Sequence, residues 1–155
     1  MTFIPETTID RAAEELNEAE GGYEAAVEDL RRQQPVLLSY LFSENFDAFT
    51  DREKEFLLYL ALVIFRATLK EKGELPVITE QQLSEAEEHN WTLIQGVSSS
   101  RFHERLDVFF QDSAQEDLLA FVEDALSDDS DEMVTKEGRE AMFVSLKSVV
   151  DCLAG

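Results

Sequence analysis

The residues best suited to bind a small anion lie between positions 91 and 105. Arg101 and Arg105 are four residues apart, so on a helix they share one face and could hold a phosphate or carboxylate group. Phe102 and His103 lie between them, and Trp91 belongs to the preceding predicted helix. We expect both arginines to pair with the protein's own carboxylates, because the chain has many acidic residues. The alternative is that this cluster lines a ligand pocket near Trp91, Phe102 and His103.

A metal site or a catalytic centre finds little support in the sequence. Glu85 and His89 are four residues apart on one predicted helical face, and two such side chains could join a metal site. A di-iron bundle requires Glu-x-x-His on two helices, however, and neither His89 nor His103 has a glutamate three residues before it. The lone Cys152 lies among apolar residues, which indicates a structural thiol rather than a nucleophile. We expect no catalytic residues, no metal and no cofactor.

Acidic residues dominate the composition: 34 Asp and Glu against 13 Lys and Arg give a net charge of −21. Residues 1–30 hold nine acidic residues and one basic residue, a net charge of −8. Residues 112–140 hold eleven acidic and two basic residues, a net charge of −9, whereas residues 51–106 have a net charge of only −3. Such surfaces repel phosphates and attract cations, so we expect a basic protein partner and no direct nucleic-acid binding. The predicted partner-binding carboxylates are Glu14, Glu18, Asp128, Asp129, Asp131 and Glu132.

The N-terminal segment carries an apolar stripe on this acidic background. Its larger members recur every seven residues: Ile9, Leu16, Tyr23 and Leu30. An alanine stands three residues after each of Ile9, Leu16 and Tyr23, and the seven-residue spacing continues across Gly21-Gly22. This pattern predicts one long helix over residues 8–33, kinked or frayed at the glycines, with a two-helix hairpin as the alternative. We expect the stripe to pack against the domain's own helices; pairing with a second copy in a homodimer is the other interpretation.

The central part of the chain is predicted to be helical because it combines capping boxes with apolar periodicity. Thr50-Asp51-Arg52-Glu53 predicts the start of a helix over residues 51–72, and Gly73 suits the position just past its end. Residues 56–65 are apolar on every face, so this helix should be central. Two further boxes are predicted at Thr79-Glu80-Gln81-Gln82 and Ser113-Ala114-Gln115-Glu116.

The expected architecture is an all-α single domain over residues 1–155, an irregular bundle of about six to seven helices around helix 51–72. The core helices occupy residues 35–126, and an acidic loop over residues 127–134 follows them. Thr135 is the predicted N-cap of a C-terminal helix over residues 136–153.

The class of protein follows from these patterns. The sequence shows no secretory signal or lipidation pattern, and its longest apolar run, ten residues from Phe56 to Phe65, is too short to span a bilayer. With an unpaired cysteine, this predicts a cytoplasmic protein that does not bind membranes. The predicted function is a non-enzymatic acidic interaction domain that binds a basic partner protein or mimics a nucleic acid. The alternative is a helical ligand-binding protein or enzyme that uses the pocket described above.

Overall fold

A computed structural model of the protein describes residues 2–18, 20–43, 47–127 and 134–155, the side chains of residues 136 and 137 excepted. Over these ranges the chain forms eight helices and no strand, which confirms the all-α class; the predicted count of six to seven helices was slightly low. No helix in the described ranges is both long and apolar enough to cross a membrane. The helices are α1 (Glu6–Glu18), α2 (Gly22–Gln33), α3 (Pro35–Leu41), α4 (Asp51–Lys72), α5 (Glu80–Gln95), α6 (Phe102–Asp112), α7 (Glu116–Ser127) and α8 (Lys136–Leu153).

Helix α4 begins and ends where its local sequence predicts. The Thr50 hydroxyl accepts the backbone N–H of Glu53 at 3.1 Å, and the Glu53 carboxylate accepts the N–H of Thr50 at 2.9 Å. Gly73, with φ of 80°, donates its N–H to a carbonyl of the last turn. All residues from 60 to 65 are buried, and α4 contacts α1, α2, α3 and α8. The helix is therefore central, as predicted.

Helix α8 is a second central helix that the sequence pattern did not single out. All residues from 142 to 150 are buried, and α8 contacts α4, α5 and α7. The Phe143 ring stacks on the ring of Phe109 from α6, with centroids 5.4 Å apart. The hydrophobic core thus has two central helices, α4 and α8, each with a fully buried middle segment, and the other six described helices pack around them.

The N-terminal segment forms two helices, so the prediction of one long helix over residues 8–33 was wrong. α1 ends at Glu18, and α2 begins after Gly21, whose φ of 72° places it in the left-handed region. A residue with a Cβ rarely adopts this conformation, which explains why the break falls at a glycine. The described members of the stripe nonetheless face the core of the same chain; Ala19 lies outside the described residues. The buried members are Ile9, Ala12, Leu16, Ala26 and Leu30.

The third predicted capping box is replaced by a different contact. The Ser113 hydroxyl accepts the N–H of Gln115 at 3.1 Å, and α7 begins one residue later. Gln115 is fully buried: its side chain accepts the N–H of Ile4 at 3.0 Å and donates to the carbonyl oxygens of Thr2 and Ala154 at 2.7 and 3.2 Å. One glutamine therefore ties both ends of the chain to the start of α7.

The start of α8 docks onto the capping box of α4. The buried Glu53 carboxylate accepts the backbone N–H of Thr135 at 3.1 Å and its hydroxyl at 3.0 Å. Thr135 caps α8, as predicted, by accepting the N–H of Gly138 at 2.9 Å. A Cβ at position 138 would overlap the Glu53 carboxylate. Position 138 therefore requires a glycine, because α4 approaches the start of α8 too closely to leave room for a Cβ.

Gly138→Ala is expected to lower the free energy of unfolding by about 2 kcal/mol because the added Cβ displaces the buried Glu53 carboxylate and so disturbs its three hydrogen bonds. In an exposed helix the same change would stabilise by about 1 kcal/mol. Chemical denaturation followed by circular dichroism measures the difference. Gly96→Ala is the control: its Cβ would meet nothing closer than 3.5 Å, so we expect a change below about 0.5 kcal/mol. A stabilising Gly138→Ala would show that the contact with Glu53 is not formed.

Candidate functional site

The two acidic segments of the sequence meet where α1 lies against α7. The backbone N–H of Glu6 donates to Asp117 Oδ2 at 2.9 Å, which joins the first turns of the two helices. Between the helices is a groove with a volume of about 260 Å³. We call it the α1–α7 groove, and it is lined by Glu6, Ile9, Asp10, Asp117, Ala120, Phe121 and Asp124.

The four carboxylates of the α1–α7 groove have no cationic partner within the described part of the chain. The other side of α1 is different. There Glu15 lies 2.8 Å from the Lys70 ammonium and 3.6 Å from the Arg66 guanidinium. The hydrogen bond from Lys70, helped by Arg66, holds the pKa of Glu15 below its ordinary value despite partial burial. α4 thus supplies two cations to Glu15 on one side of α1, whereas no described cation pairs with the carboxylates on the side toward α7.

The predicted partner-binding residues fall partly on this surface. Glu14 and Glu18 are exposed on α1 and follow Asp10 at four-residue steps, each about 6 Å along the helix. They continue the row of carboxylates that begins in the groove. The four predicted residues of the acidic loop, Asp128, Asp129, Asp131 and Glu132, lie outside the described residues. The sequence did not predict that the carboxylates of the groove lie together, because no local sequence pattern indicates that α1 packs against α7.

Arg105, the centre of the predicted anion site, is held entirely by contacts within the chain. Its guanidinium forms a bidentate ion pair with Glu140, at 2.8 and 3.1 Å. The remaining N–H groups donate to the carbonyl oxygens of Ile94, Val97 and Ser99 at 3.3, 3.2 and 2.9 Å. All five donors are used, and the hydrogen bond to Glu140 raises the pKa of Arg105. Arg105 thereby joins the end of α5 and the following turn to α8.

The other members of that cluster are spread over different environments. Phe102 is buried, and the Arg139 guanidinium lies 4.3 Å from its ring centroid. His103 Nδ1 is 2.9 Å from a carboxylate oxygen of Glu123. Arg101 is 82% exposed and lies 3.6 Å from a glutamate three residues along the chain. None of these side chains lines the α1–α7 groove or either of the two cavities described below.

Trp91 lies half-buried on α5, apart from this cluster. Its indole N–H donates to the Glu87 carboxylate at 3.4 Å, and the Tyr40 hydroxyl donates to the same carboxylate at 3.1 Å. Trp91 is therefore connected through Glu87 to α3.

Lys147 on α8 is the centre of a buried polar network that the sequence analysis missed. Its side chain has no exposed surface, and its ammonium donates to Asp112 at 2.8 Å, to Asp151 at 2.9 and 3.0 Å, and to Asn90 at 3.1 Å. The network joins α5, α6 and α8. The available signal was a lysine inside an apolar helical segment, where a solvated lysine is not expected.

His89 extends this network to the surface. Its Nε2 lies 3.1 Å from both carboxylate oxygens of Asp112. Burial by itself raises the pKa of Asp112, but the hydrogen bonds from Lys147 and His89 outweigh it and hold that pKa below its ordinary value. The His89 side chain therefore pairs with Asp112 and not with Glu85, which lies four residues before it on α5.

A wide cleft of about 480 Å³ opens beside the network, with His89, Asp112, Asp151 and Cys152 in its lining. Burial, with a smaller effect of Asp151, raises the pKa of the Cys152 thiol to about 11, so the thiol is protonated at pH 7. In the ranges that the structure describes, no three His, Cys, Asp or Glu side chains are grouped to hold a metal ion. The cleft therefore offers neither an ionised thiol nor a metal-binding cluster of described residues.

The sequence matches no protein-family model, no curated protein and no solved structure. Its function must therefore be argued from the geometry of its own residues. Of the sites above, the α1–α7 groove combines a concave shape with carboxylates that no described cation neutralises.

Proposed function

We propose that this chain is a non-enzymatic acidic interaction domain that binds a basic segment of a partner protein in the α1–α7 groove. The observation that carries the proposal is the set of four carboxylates, from two helices around one concavity, that form no ion pair with a described residue. Lysine and arginine side chains are the groups in proteins that such a site attracts.

The lining also favours a peptide segment over a simple inorganic cation. Ile9, Ala120 and Phe121 supply an apolar part of the groove between the carboxylates. The methylene stems of lysine and arginine cover apolar surface while their charged ends reach carboxylates. The row Asp10, Glu14 and Glu18 extends the negative surface along α1, so that further basic residues of the same segment find partners.

Charge distribution supports electrostatic steering. The net charge of −21 attracts a basic partner from a distance, and salt screens this attraction over about 10 Å at 0.1 M ionic strength. Association should therefore slow and weaken as salt rises.

The test is the affinity for a short fluorescein-labelled peptide of alternating arginine and alanine, measured by fluorescence anisotropy. The double variant Asp10→Asn with Asp124→Asn is expected to bind about fivefold more weakly, because two unpaired carboxylates of the groove are neutralised. Raising NaCl from about 50 to about 200 mM should weaken binding of the unaltered protein by more than that factor.

The control has the same net charge change at exposed positions away from the groove, Glu74→Gln with Glu88→Gln. It should bind within about twofold of the unaltered protein. If both double variants lose the same affinity, the peptide senses only the overall charge and the groove is not the site. Salt-independent binding would refute the electrostatic basis of the proposal.

A further inference from the structure

A second groove, between α3 and α5, has a different character from the α1–α7 groove. Its volume is about 490 Å³, within the range of sites that hold small organic molecules. We call it the α3–α5 groove. Its lining is formed by Pro35, Val36, Ser39, Tyr40, Ser43, Glu80, Leu83, Ser84 and Glu87. The apolar members Pro35, Val36 and Leu83 and the ring of Tyr40 are suited to an apolar molecular body.

Two carboxylates give this groove a negative charge. Glu80 and Glu87 are seven residues apart on α5, so they lie two helical turns apart on the same side. Neither forms an ion pair with a described residue, and the lining contains no Lys, Arg or His. Within the described ranges Glu87 accepts hydrogen bonds from two neutral donors, the Tyr40 hydroxyl and the Trp91 indole. Its charge is therefore oriented but not compensated by a described cation.

An unsatisfied hydroxyl in the same lining is an independent indication of a ligand. The Ser43 Oγ is inaccessible to solvent and has no hydrogen-bond partner in the described part of the chain. Buried polar atoms without partners are rare in folded proteins because each one costs free energy. A donor brought by a ligand would satisfy this oxygen once the Ser43 side chain rotates about χ1 from its enclosed position toward the groove.

We propose that the α3–α5 groove binds a small organic ammonium ion that carries an apolar body. The ammonium supplies N–H donors for the Glu87 carboxylate and for the Ser43 hydroxyl oxygen, and the body lies against Pro35, Val36 and Leu83. The Glu80 carboxylate, two helical turns away, adds to the negative potential of the groove. A neutral ligand would leave the two charges uncompensated, and an anionic ligand would be repelled by them. This site is separate from the proposed peptide site on α1 and α7.

Trp91 is the natural reporter, because it is the single tryptophan of the chain and its N–H contacts Glu87. We would titrate the protein with 2-phenylethylammonium and follow the emission of Trp91. The uncharged 2-phenylethanol and the anionic phenylacetate provide matched apolar bodies. We expect saturable binding of the ammonium, at least about tenfold tighter than the alcohol, and no saturable binding of the acid. Equal affinity for ammonium and alcohol, or no saturable ammonium binding, would overturn the proposal.

Variants locate the site. Glu87→Gln should weaken ammonium binding about tenfold and leave the affinity for the alcohol unchanged. Glu88→Gln, a neighbouring exposed glutamate outside the lining, should change neither affinity. If Glu87→Gln does not fold, Glu80→Gln serves instead, because Glu80 is exposed and its carboxylate forms no hydrogen bond or ion pair with a described residue. Binding that survives neutralisation of Glu80 and of Glu87, or that Glu88→Gln weakens equally, would place the cation elsewhere and refute the assignment.

Discussion

Lys147→Met is expected to lower the free energy of unfolding by about 3 kcal/mol, the largest effect we predict for a single side chain. Methionine matches the length of lysine but donates no hydrogen bonds. Asp112 and Asp151, which are one quarter to one third exposed, would lose their shared cation and repel each other. Urea denaturation measures the loss directly. A thermal melt should show a decrease in Tm of about 6 to 12 °C.

The control is Lys70→Met, the same substitution in an ion pair at the surface. Lys70 and Glu15 are 31% and 40% exposed, so solvent screens their attraction. We expect a loss below about 1 kcal/mol. Similar losses for the two variants would mean that burial of Lys147 does not matter, and a loss below about 1 kcal/mol for Lys147→Met would contradict the network.

The ion pair between Lys147 and Asp112 also makes the stability of the fold depend on pH in acid. Because the pKa of Asp112 is lower in the folded protein than in the unfolded chain, its ionised form stabilises the fold. That stabilisation is fully present above the ordinary aspartate pKa of about 4 and is lost as the pH falls through the lowered value. The stability difference between Lys147→Met and the unaltered protein should therefore shrink in this acidic window.

Arg105→Lys is expected to lower the free energy of unfolding by about 2 kcal/mol although it keeps the positive charge. A lysine has three donors on a flexible stem and cannot reproduce the planar fork that contacts Glu140 and three carbonyl oxygens. Those carbonyls lie at the end of α5 and just beyond it, where the backbone lacks helical partners. Chemical denaturation is the measurement.

Arg101→Lys is the matched control, since Arg101 is exposed and, among the described residues, its guanidinium pairs with a surface glutamate alone. We expect its stability to change by less than about 0.5 kcal/mol. The comparison separates the two arginines that the sequence placed together. Equal tolerance at both positions would show that the five hydrogen bonds of Arg105 contribute nothing to stability.

The sequence determined by itself the helical class and the bounds of some of the helices. The helices over 51–72 and 136–153 were predicted at their observed bounds, and the start of the helix over 80–95 was predicted at Thr79, because caps act locally. Thr50, Thr79 and Thr135 each accept an N–H three residues ahead, and apolar periodicity marks the face between cap and end. These signals need no knowledge of the rest of the fold.

Prediction from local sequence failed at two places, for two different reasons. The heptad stripe continued across Gly21, so periodicity favoured one helix, but the left-handed backbone at that glycine separates two helices that both bury the stripe. Ser113 likewise had the spacing of a capping box. Gln115 was instead drawn into contacts with residues 2, 4 and 154, which a four-residue window cannot reveal.

Only the tertiary structure decided which charges are compensated. Lys147 meets Asn90 and Asp112, which are 57 and 35 positions away, and Arg105 meets Glu140, 35 positions away. The carboxylates of α1 and α7, more than 100 positions apart, share a groove with no described cation. The physical reason is that an ion pair depends on the distance between two atoms, which helix packing sets. Composition establishes how many charges the chain carries, whereas packing determines which of them remain for a partner.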